Sequence, residues 1–394
     1  MQTSMKTINV KFLTFSDAPS KILDEGIKRL SKLCDKDIFK YTNEDVNPDL
    51  LFFLTGGSER AAIECVKEDK FYVLIGSKHD NAYASATEVK AYLNERCIGS
   101  ILLDEEDPNT ARFLSNFLIV KRALSNLKGK KIGQIGSVSD WLVSSTISAV
   151  TLKDKLGITL LEIPWEEIPH YSKFAPADDF INFFKPNSNL DLIQTAQVDS
   201  MLRDIIKMHQ LNSITVECFP MVQKDGVTAC LPLAKLNNEG FPAGCEGDIT
   251  AITGMMLGKE LTGVVPWIVN VNKVSEDISI FSHCTVAPIL LSDYKVTTHF
   301  ETGKGTAIAG DLKSELVTIF RINNKLNKAF ISVATVVGRP KSPTACRTQI
   351  EVKLPKESVK LLKEEPLGNH HLVLPGNWSE LLKQMFTILG VEVL

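Results

Sequence analysis

Two successive cycles of strand-like runs alternating with helix-spaced segments, followed by a tail of closely spaced strands, constrain this chain more than any single motif. In the first cycle "TINVKFLTF" is a β-branched run and "ILDEGIKRLSKL" carries Ile22, Ile27, Leu30 and Leu33 at helical spacing. "DLLFFLTGG", "FYVLIGS" and "SILLDEE" repeat the strand pattern, and the long helical stretch "NTARFLSNFLIVKRALSNL" leads to a basic turn, "GKK". Such alternation implies a parallel sheet flanked by helices. A second cycle opens at "KIGQIGSVSDWLVSS", read as strand, glycine turn and helix. It runs on through "ITLLEIPW", the amphipathic "LDLIQTAQVDSMLRDIIKMHQ", "SITVECF" and the helical "ITAITGMMLGKELTG". Beyond about residue 285 the period shortens. "KVTTHFE", "GTAIAGDL", "LVTIFRIN", "AFISVATVVG", "RTQIEVKLP" and "HHLVLPG" predict an antiparallel barrel or sandwich without helices, until a terminal helix "NWSELLKQMFTIL" for which Ser379 is available as a cap.

The expected architecture is therefore two doubly wound parallel-sheet domains, residues 1–128 and 129–284, followed by a β-rich, barrel-like domain over 285–394. A net charge of −3, with Lys and Arg spread rather than blocked, gives no electrostatic footprint for nucleic acid or an anionic membrane. The N-terminus has neither the apolar core nor the cleavage site of a signal peptide, and no run of about 18 apolar residues follows. With eight cysteines in no paired spacing, these features predict a cytoplasmic protein with reduced thiols and a small-molecule partner.

The chemistry-bearing residues cluster at predicted strand ends. No G-x-G-x-x-G follows the first strand, so a dinucleotide site is not expected. "TGGSE" (Thr55 to Glu59) and "GQIGSVS" (Gly133 to Ser139) are glycine turns that tighten a chain reversal or present N–H groups to a ligand oxygen. Glu217, after "SITV", is placed at the carboxyl edge of a parallel sheet, where open α/β sheets bind ligands. Asp248 precedes a helix and reads equally as its N-cap, and Glu246 as a turn charge. Of seven histidines, His283, His299 and His370 sit at or beside strand ends in the C-terminal half. His370 and His371 are adjacent on a strand and so face opposite sides. Carboxylates with imidazole, without thiolate, suit Mn2+ or Mg2+. A cysteine-rich zinc site using Cys218, Cys245 and Cys284 is the competing arrangement, and their wide separation argues against it.

"CEGDITAITGMMLGKELTG" (Cys245 to Gly263) resembles a stretch of the L-fucose isomerase family, and "GNHHLV" is similar to terminal segments of the L-fucose and L-arabinose isomerases. "ECF" matches the position of that superfamily's first metal carboxylate. The layout agrees along nearly the whole chain, whereas the motifs are confined to residues 215–263 and 366–376, and the chain is shorter than the well-known enzymes. It looks like the short fucose isomerase-related proteins. The resemblance implies a metal-dependent aldose–ketose isomerase in which Glu217, Asp248 and His370 hold Mn2+, with Mg2+ or Co2+ as substitutes. Glu217 and Asp248 would also move the proton. Asn369 would contact the sugar. His283 resembles the second histidine ligand of the arabinose enzymes, and Glu246 would replace Asp248 if that pattern holds. Otherwise His283 and Glu246 orient substrate hydroxyls, with Trp141 stacking on a sugar face or serving as a core or interface residue.

The reaction would pass through a cis-enediol, with the cation on the sugar's first two oxygens. A homo-oligomer, trimer or hexamer, is also implied, with Thr55 to Glu59 acting in a partner subunit. The alternatives are a non-catalytic cytoplasmic sugar-binding protein and another metal-dependent carbohydrate lyase or aldolase.

Overall fold

The structure, a computed structural model, describes residues 7–41 and 47–394. They form two compact units: one runs up to Ser125 and includes Gln384–Gly390, the other comprises Asn126–Lys383 and Val391–Leu394.

In the first unit β1 (Ile8–Leu13), β2 (Phe39–Tyr41), β3 (Leu50–Phe53), β4 (Tyr72–Gly76) and β5 (Ser100–Asp104) form one parallel sheet in the order β2-β1-β3-β4-β5. The apolar runs of β3 and β4 are buried on both faces, as central parallel strands require. Alternate residues feed different cores. Leu50, Phe52, Val73 and Ile75 pack with Leu30, Leu114 and Phe117 of two helices, while Leu51, Phe53, Tyr72 and Leu74 pack with Ala86, Val89 and Leu93 of a third. Helices thus cover both faces.

The second unit begins with a smaller parallel sheet of β6 (Lys131–Ile135), β7 (Thr159–Ile163), β8 (Ser213–Val216) and β9 (Ala243–Cys245), in the order β7-β6-β8-β9. The strand order reverses between β6 and β8, the point where open α/β sheets form a ligand crevice at their carboxyl ends. The helix Ile249–Thr262 follows, apolar almost all round and nearly fully buried. It packs on β8 and β9 and also on the barrel strands below. Gly254 and Gly258 permit this: a Cβ at either would come within 2.4 Å or 2.5 Å of Leu372 or Pro266.

The C-terminal strands are β10 (Trp267–Lys273), β11 (Ser279–His283), β12 (Leu291–Thr297), β13 (Ala307–Leu312), β14 (Leu316–Ile322), β15 (Lys328–Gly338), β16 (Thr348–Lys353), β17 (His371–Pro375) and β18 (Glu392–Val393). Six close into an antiparallel barrel, β14-β17-β10-β11-β16-β15, with β15 returning to β14; β18 adds to one end of β15, and β12-β13 form a separate hairpin. The doubly wound sheets and terminal barrel match the expected fold class.

Three local expectations are corrected. The helix read directly after the "GQIG" turn is absent; residues 137–148 form a loop, and the helix begins at Ala149 with Ser148 capping it through Thr151 N–H. The loop's polar backbone is used elsewhere: Ser145 O accepts from Ile249 and Thr250 N–H, and Ser139 N–H donates to Glu246 O. A helix, Lys356–Glu364, interrupts the β-rich region; only Val359, Leu361 and Leu362 mark its apolar face within a highly charged segment. Ser379 is the first helical residue rather than a cap, and its N–H and hydroxyl both donate to Asn377 Oδ1. Among the described residues no helix is long and apolar enough to cross a membrane.

Candidate metal centre

The site is built where β8 and β9 end. Val216 pairs with Cys245, so the next residues, Glu217 and Glu246, leave neighbouring strands side by side. The chain then turns sharply: Glu246 (φ 62°) and Gly247 (φ 67°) are both left-handed. For Gly247 there is no alternative, because a Cβ would lie 2.1 Å from Ser137 O. For Glu246 the conformation is strained, by about 1–2 kcal/mol, and it aims the carboxylate back over the strand ends. Asp248 closes the turn as N-cap of the next helix, its Oδ1 accepting from Ala251 N–H at 2.6 Å.

The barrel supplies two histidines. His283 ends β11 and His370 stands immediately before β17, and both are buried. Glu246 Oε1 is 3.9 Å from His283 Nε2 and 3.8 Å from His370 Nε2, and the imidazoles meet edge to face with centroids 5.5 Å apart. These separations exceed a hydrogen bond. They fit donors around one ion, since two atoms each ~2.1 Å from a common metal lie no more than ~4.2 Å apart. The three residues form the only cluster of this kind among the described residues.

The outer contacts fix the donors' orientation. His370 Nδ1 meets Asp248 Oδ2 at 2.9 Å. Burial alone would raise the Asp248 carboxyl, but the His370 hydrogen bond, the Arg321 charge and the Ala251 N–H hold it below its ordinary value. An ionised Asp248 only accepts, so His370 carries its proton on Nδ1 and turns the Nε2 lone pair toward Glu246 and His283. That nitrogen is buried and makes no hydrogen bond. His283 Nδ1 contacts Thr285 Oγ1 at 3.1 Å. Burial, then His370 and His299, keep the His283 imidazole neutral well below the usual histidine range.

His371 takes the opposite face. Its ring lies edge-on to Phe281 and Phe330, its Nδ1–H donates to Asn369 O at 2.9 Å, and burial followed by the Arg321 charge pushes its pKa down to about 3. Arg321 itself was not picked out by sequence. Buried in β14, it donates to the backbone carbonyls of Leu367 (2.9 Å), Ser144 (3.0 Å) and His370, and so holds the segment that presents His370. Gly368 (φ 136°) is required beside it, as a Cβ there would stand 2.2 Å from Nη2. A lone arginine in the apolar strand "LVTIFRIN" was the available signal.

Glu217 Oε2 accepts from Ser137 N–H at 2.8 Å and is not one of the three clustered donors. Asp248 uses both oxygens, on Ala251 N–H and on His370. Trp141, 53% exposed, donates from Nε1 to Glu246 Oε2 at 2.6 Å and stands edge-on to Phe219. Asn369 is exposed; its Oδ1 accepts from Val271 N–H at 3.0 Å and its amide donates to Asn270 Oδ1 at 2.6 Å. Of the cysteines weighed as zinc ligands, Cys218 and Cys245 touch each other at 3.3 Å in the core, while Cys284 packs with Cys230 and Cys346. Thr55 to Glu59 lie in the first unit, where Ser58 Oγ donates to Thr55 O.

Fold and site together define a class: a doubly wound sheet in each unit and, within the second unit, a barrel that meets the smaller sheet at a carboxylate–bis-imidazole cluster able to hold a metal ion. No family model matches the chain. Among curated proteins it is similar to the sulfoquinovose isomerases of Priestia aryabhattai and Priestia megaterium, each 24% identical over 296 residues, covering 69% of this chain and 66% of the relative. It is also similar to the sulfoquinovose isomerase of Clostridium sp. (strain MSTE9), 20% identical over 336 residues, covering 79% of this chain and 74% of the relative. The match thus spans just under two thirds of the length of the Priestia proteins.

Proposed function

We propose that this protein is a metal-dependent aldose–ketose isomerase acting on a free monosaccharide, of the wider fucose and arabinose isomerase type. The observation that carries this reading is the buried, unpartnered Nε2 of His370, oriented by Asp248 and facing Glu246 and His283. Glu246, His283 and His370 hold the ion, following the arabinose-like pattern, and Asp248 positions His370. One carboxylate with two imidazoles suits Mn2+ among the common divalent ions. Bound there, the cation would polarise the sugar's carbonyl and hydroxyl oxygens and stabilise enediolate charge.

Glu217 moves the proton between C1 and C2. Its Oε2 is fixed by Ser137 N–H, and it stands one strand over from Glu246, at the carboxyl edge where the strand order reverses. Trp141 closes the outer side of Glu246, restricting water and presenting an aromatic face to the sugar. The similarity to sulfoquinovose isomerases supports the reaction class.

The test is incubation of an aldose panel with Mn2+-loaded protein in D2O. Deuterium enters C2 with the wild type and is lost in Glu217→Gln at unchanged metal content. No exchange or turnover with any aldose would overturn the reading, and ligand binding without metal dependence would favour a sugar-binding protein instead.

A further inference from the structure

His299, two residues past β12, takes no part in holding the ion and is only 8% exposed. The loop that carries it is pinned. His299 N–H donates to Lys304 O at 3.0 Å and Gly303 N–H to His299 O at 2.9 Å. Farther along, Thr306 N–H donates to Thr228 Oγ1 at 2.9 Å, and that hydroxyl donates in turn to Thr306 O at 2.6 Å. The imidazole itself is less engaged. Its Nδ1 stands 3.5 Å from Thr302 Oγ1, while its Nε2 has no hydrogen-bond partner among the described residues and, unlike Nε2 of His370 and His371, is not sealed by protein. Rings in series lead from the ion site to this nitrogen. Trp141, bonded to Glu246, stands edge-on to Phe219 with centroids 4.7 Å apart, and Phe219 stands edge-on to His299 with centroids 6.0 Å apart. Phe219 opens its helix two residues after Glu217, so the row of rings begins at both site carboxylates.

We propose that Trp141, Phe219 and His299 form one wall of the sugar pocket beside the ion, and that His299 is a substrate-positioning residue whose Nε2 hydrogen-bonds a sugar hydroxyl beyond the two reacting carbons. The inference rests on the isomerase reading only for which end of the sugar meets the ion. His299 lies outside the donor cluster and two rings away along the wall from Glu246, so it meets the body of the sugar rather than its carbonyl end. Burial, then the Arg347 charge, lowers the His299 pKa, so the ring is neutral, with one nitrogen donating and the other accepting. A hydroxyl does both and pairs with Nε2 in either tautomer. Trp141 is 53% exposed and Phe219 half-buried, which leaves aromatic surface free for the C–H faces of a sugar.

The experiment is calorimetric binding of a panel of pentitols and hexitols, with their monodeoxy counterparts, to the Mn2+-loaded full chain as wild type, His299→Phe and His299→Gln. The phenylalanine keeps a ring against Phe219 and removes the nitrogens, whereas the glutamine restores an amide for the hydroxyl to meet. His299→Phe weakens the best-bound polyol by about 2- to 10-fold, and His299→Gln weakens it less. One monodeoxy compound is bound equally by wild type and His299→Phe, because it lacks the hydroxyl that Nε2 holds. Manganese content stays at the wild-type value in both variants. A merely structural role would weaken every compound alike. That uniform loss, a loss accompanied by lowered manganese content, wild-type affinity in His299→Phe, or no polyol bound by the wild type would each overturn the inference. Coupled polyol binding without C2 exchange in D2O would sink the isomerase reading alone; exchange without the coupling to His299 would sink the positioning role alone.

Discussion

The two parallel sheets share a strand order but treat the acids at their carboxyl edges in opposite ways. In the first, Glu105 follows β5 and is gripped by Arg29, and this hydrogen-bonded ion pair raises the arginine's pKa; the guanidinium also donates to Ser77 Oγ at 2.9 Å. At the opposite, amino end of β3, buried Asp49 is also paired, with Lys70 at 3.0 Å and with Lys121. In the second sheet, Glu217 and Glu246 have no lysine or arginine ion partner among the described residues; Glu246 meets only two imidazoles and an indole N–H. The Glu105 carboxylate is thus neutralised from within its own unit, whereas Glu217 and Glu246 have no such internal cation. An acid at a sheet edge is therefore a weak functional signal until its partners are known.

Removing a donor should break the contrast most severely. His370→Ala is expected to lower Mn2+ affinity by more than about 100-fold, read by metal titration, since losing a ligand exceeds the 10–100-fold typical of losing its outer partner. Asp248→Asn sits one step out. Because asparagine caps a helix about as well as aspartate, Tm should hold while Mn2+ affinity falls by about 10–100-fold.

His371 supplies a pH test. Its folded pKa is depressed to about 3 by burial and then by Arg321, against an unfolded value near 6.5. Its contribution to stability is present above about pH 6.5 and is lost as pH falls toward 3, with a slope of up to about 1.4 kcal/mol per pH unit. Urea unfolding of His371→Gln across that window should show a shallower slope than the wild type. The smallest effect belongs to the first unit. Glu105→Gln should cost about 1 kcal/mol in urea unfolding and leave manganese binding unchanged, because its partly exposed ion pair is structural.

Much of the fold was legible because its strands obey simple periods. β3 and β4 read as continuous apolar runs because both faces are buried, and the change to short strands after residue 285 marks the barrel. The helix Lys356–Glu364 was hidden because only three of its nine residues, Val359, Leu361 and Leu362, are apolar amid glutamates and lysines. At the site, strand alternation and the resemblance together selected His370 over His371, and the structure turns His370 toward Glu246 and His283. Which carboxylate faces the histidines was not legible. That depends on the left-handed backbone of Glu246 and on Asp248 spending its oxygens on a helix cap and an imidazole. Arg321 was missed because its work is done on carbonyls 46 to 177 residues away in sequence.

The most direct test is a Mn2+ titration of wild type, Glu246→Gln and His283→Gln, followed by calorimetry and by the loss of the free-ion electron paramagnetic signal. One ion per chain bound by the wild type and none bound tightly by either variant is the predicted result. Wild-type affinity retained in both variants would contradict a centre built from Glu246, His283 and His370.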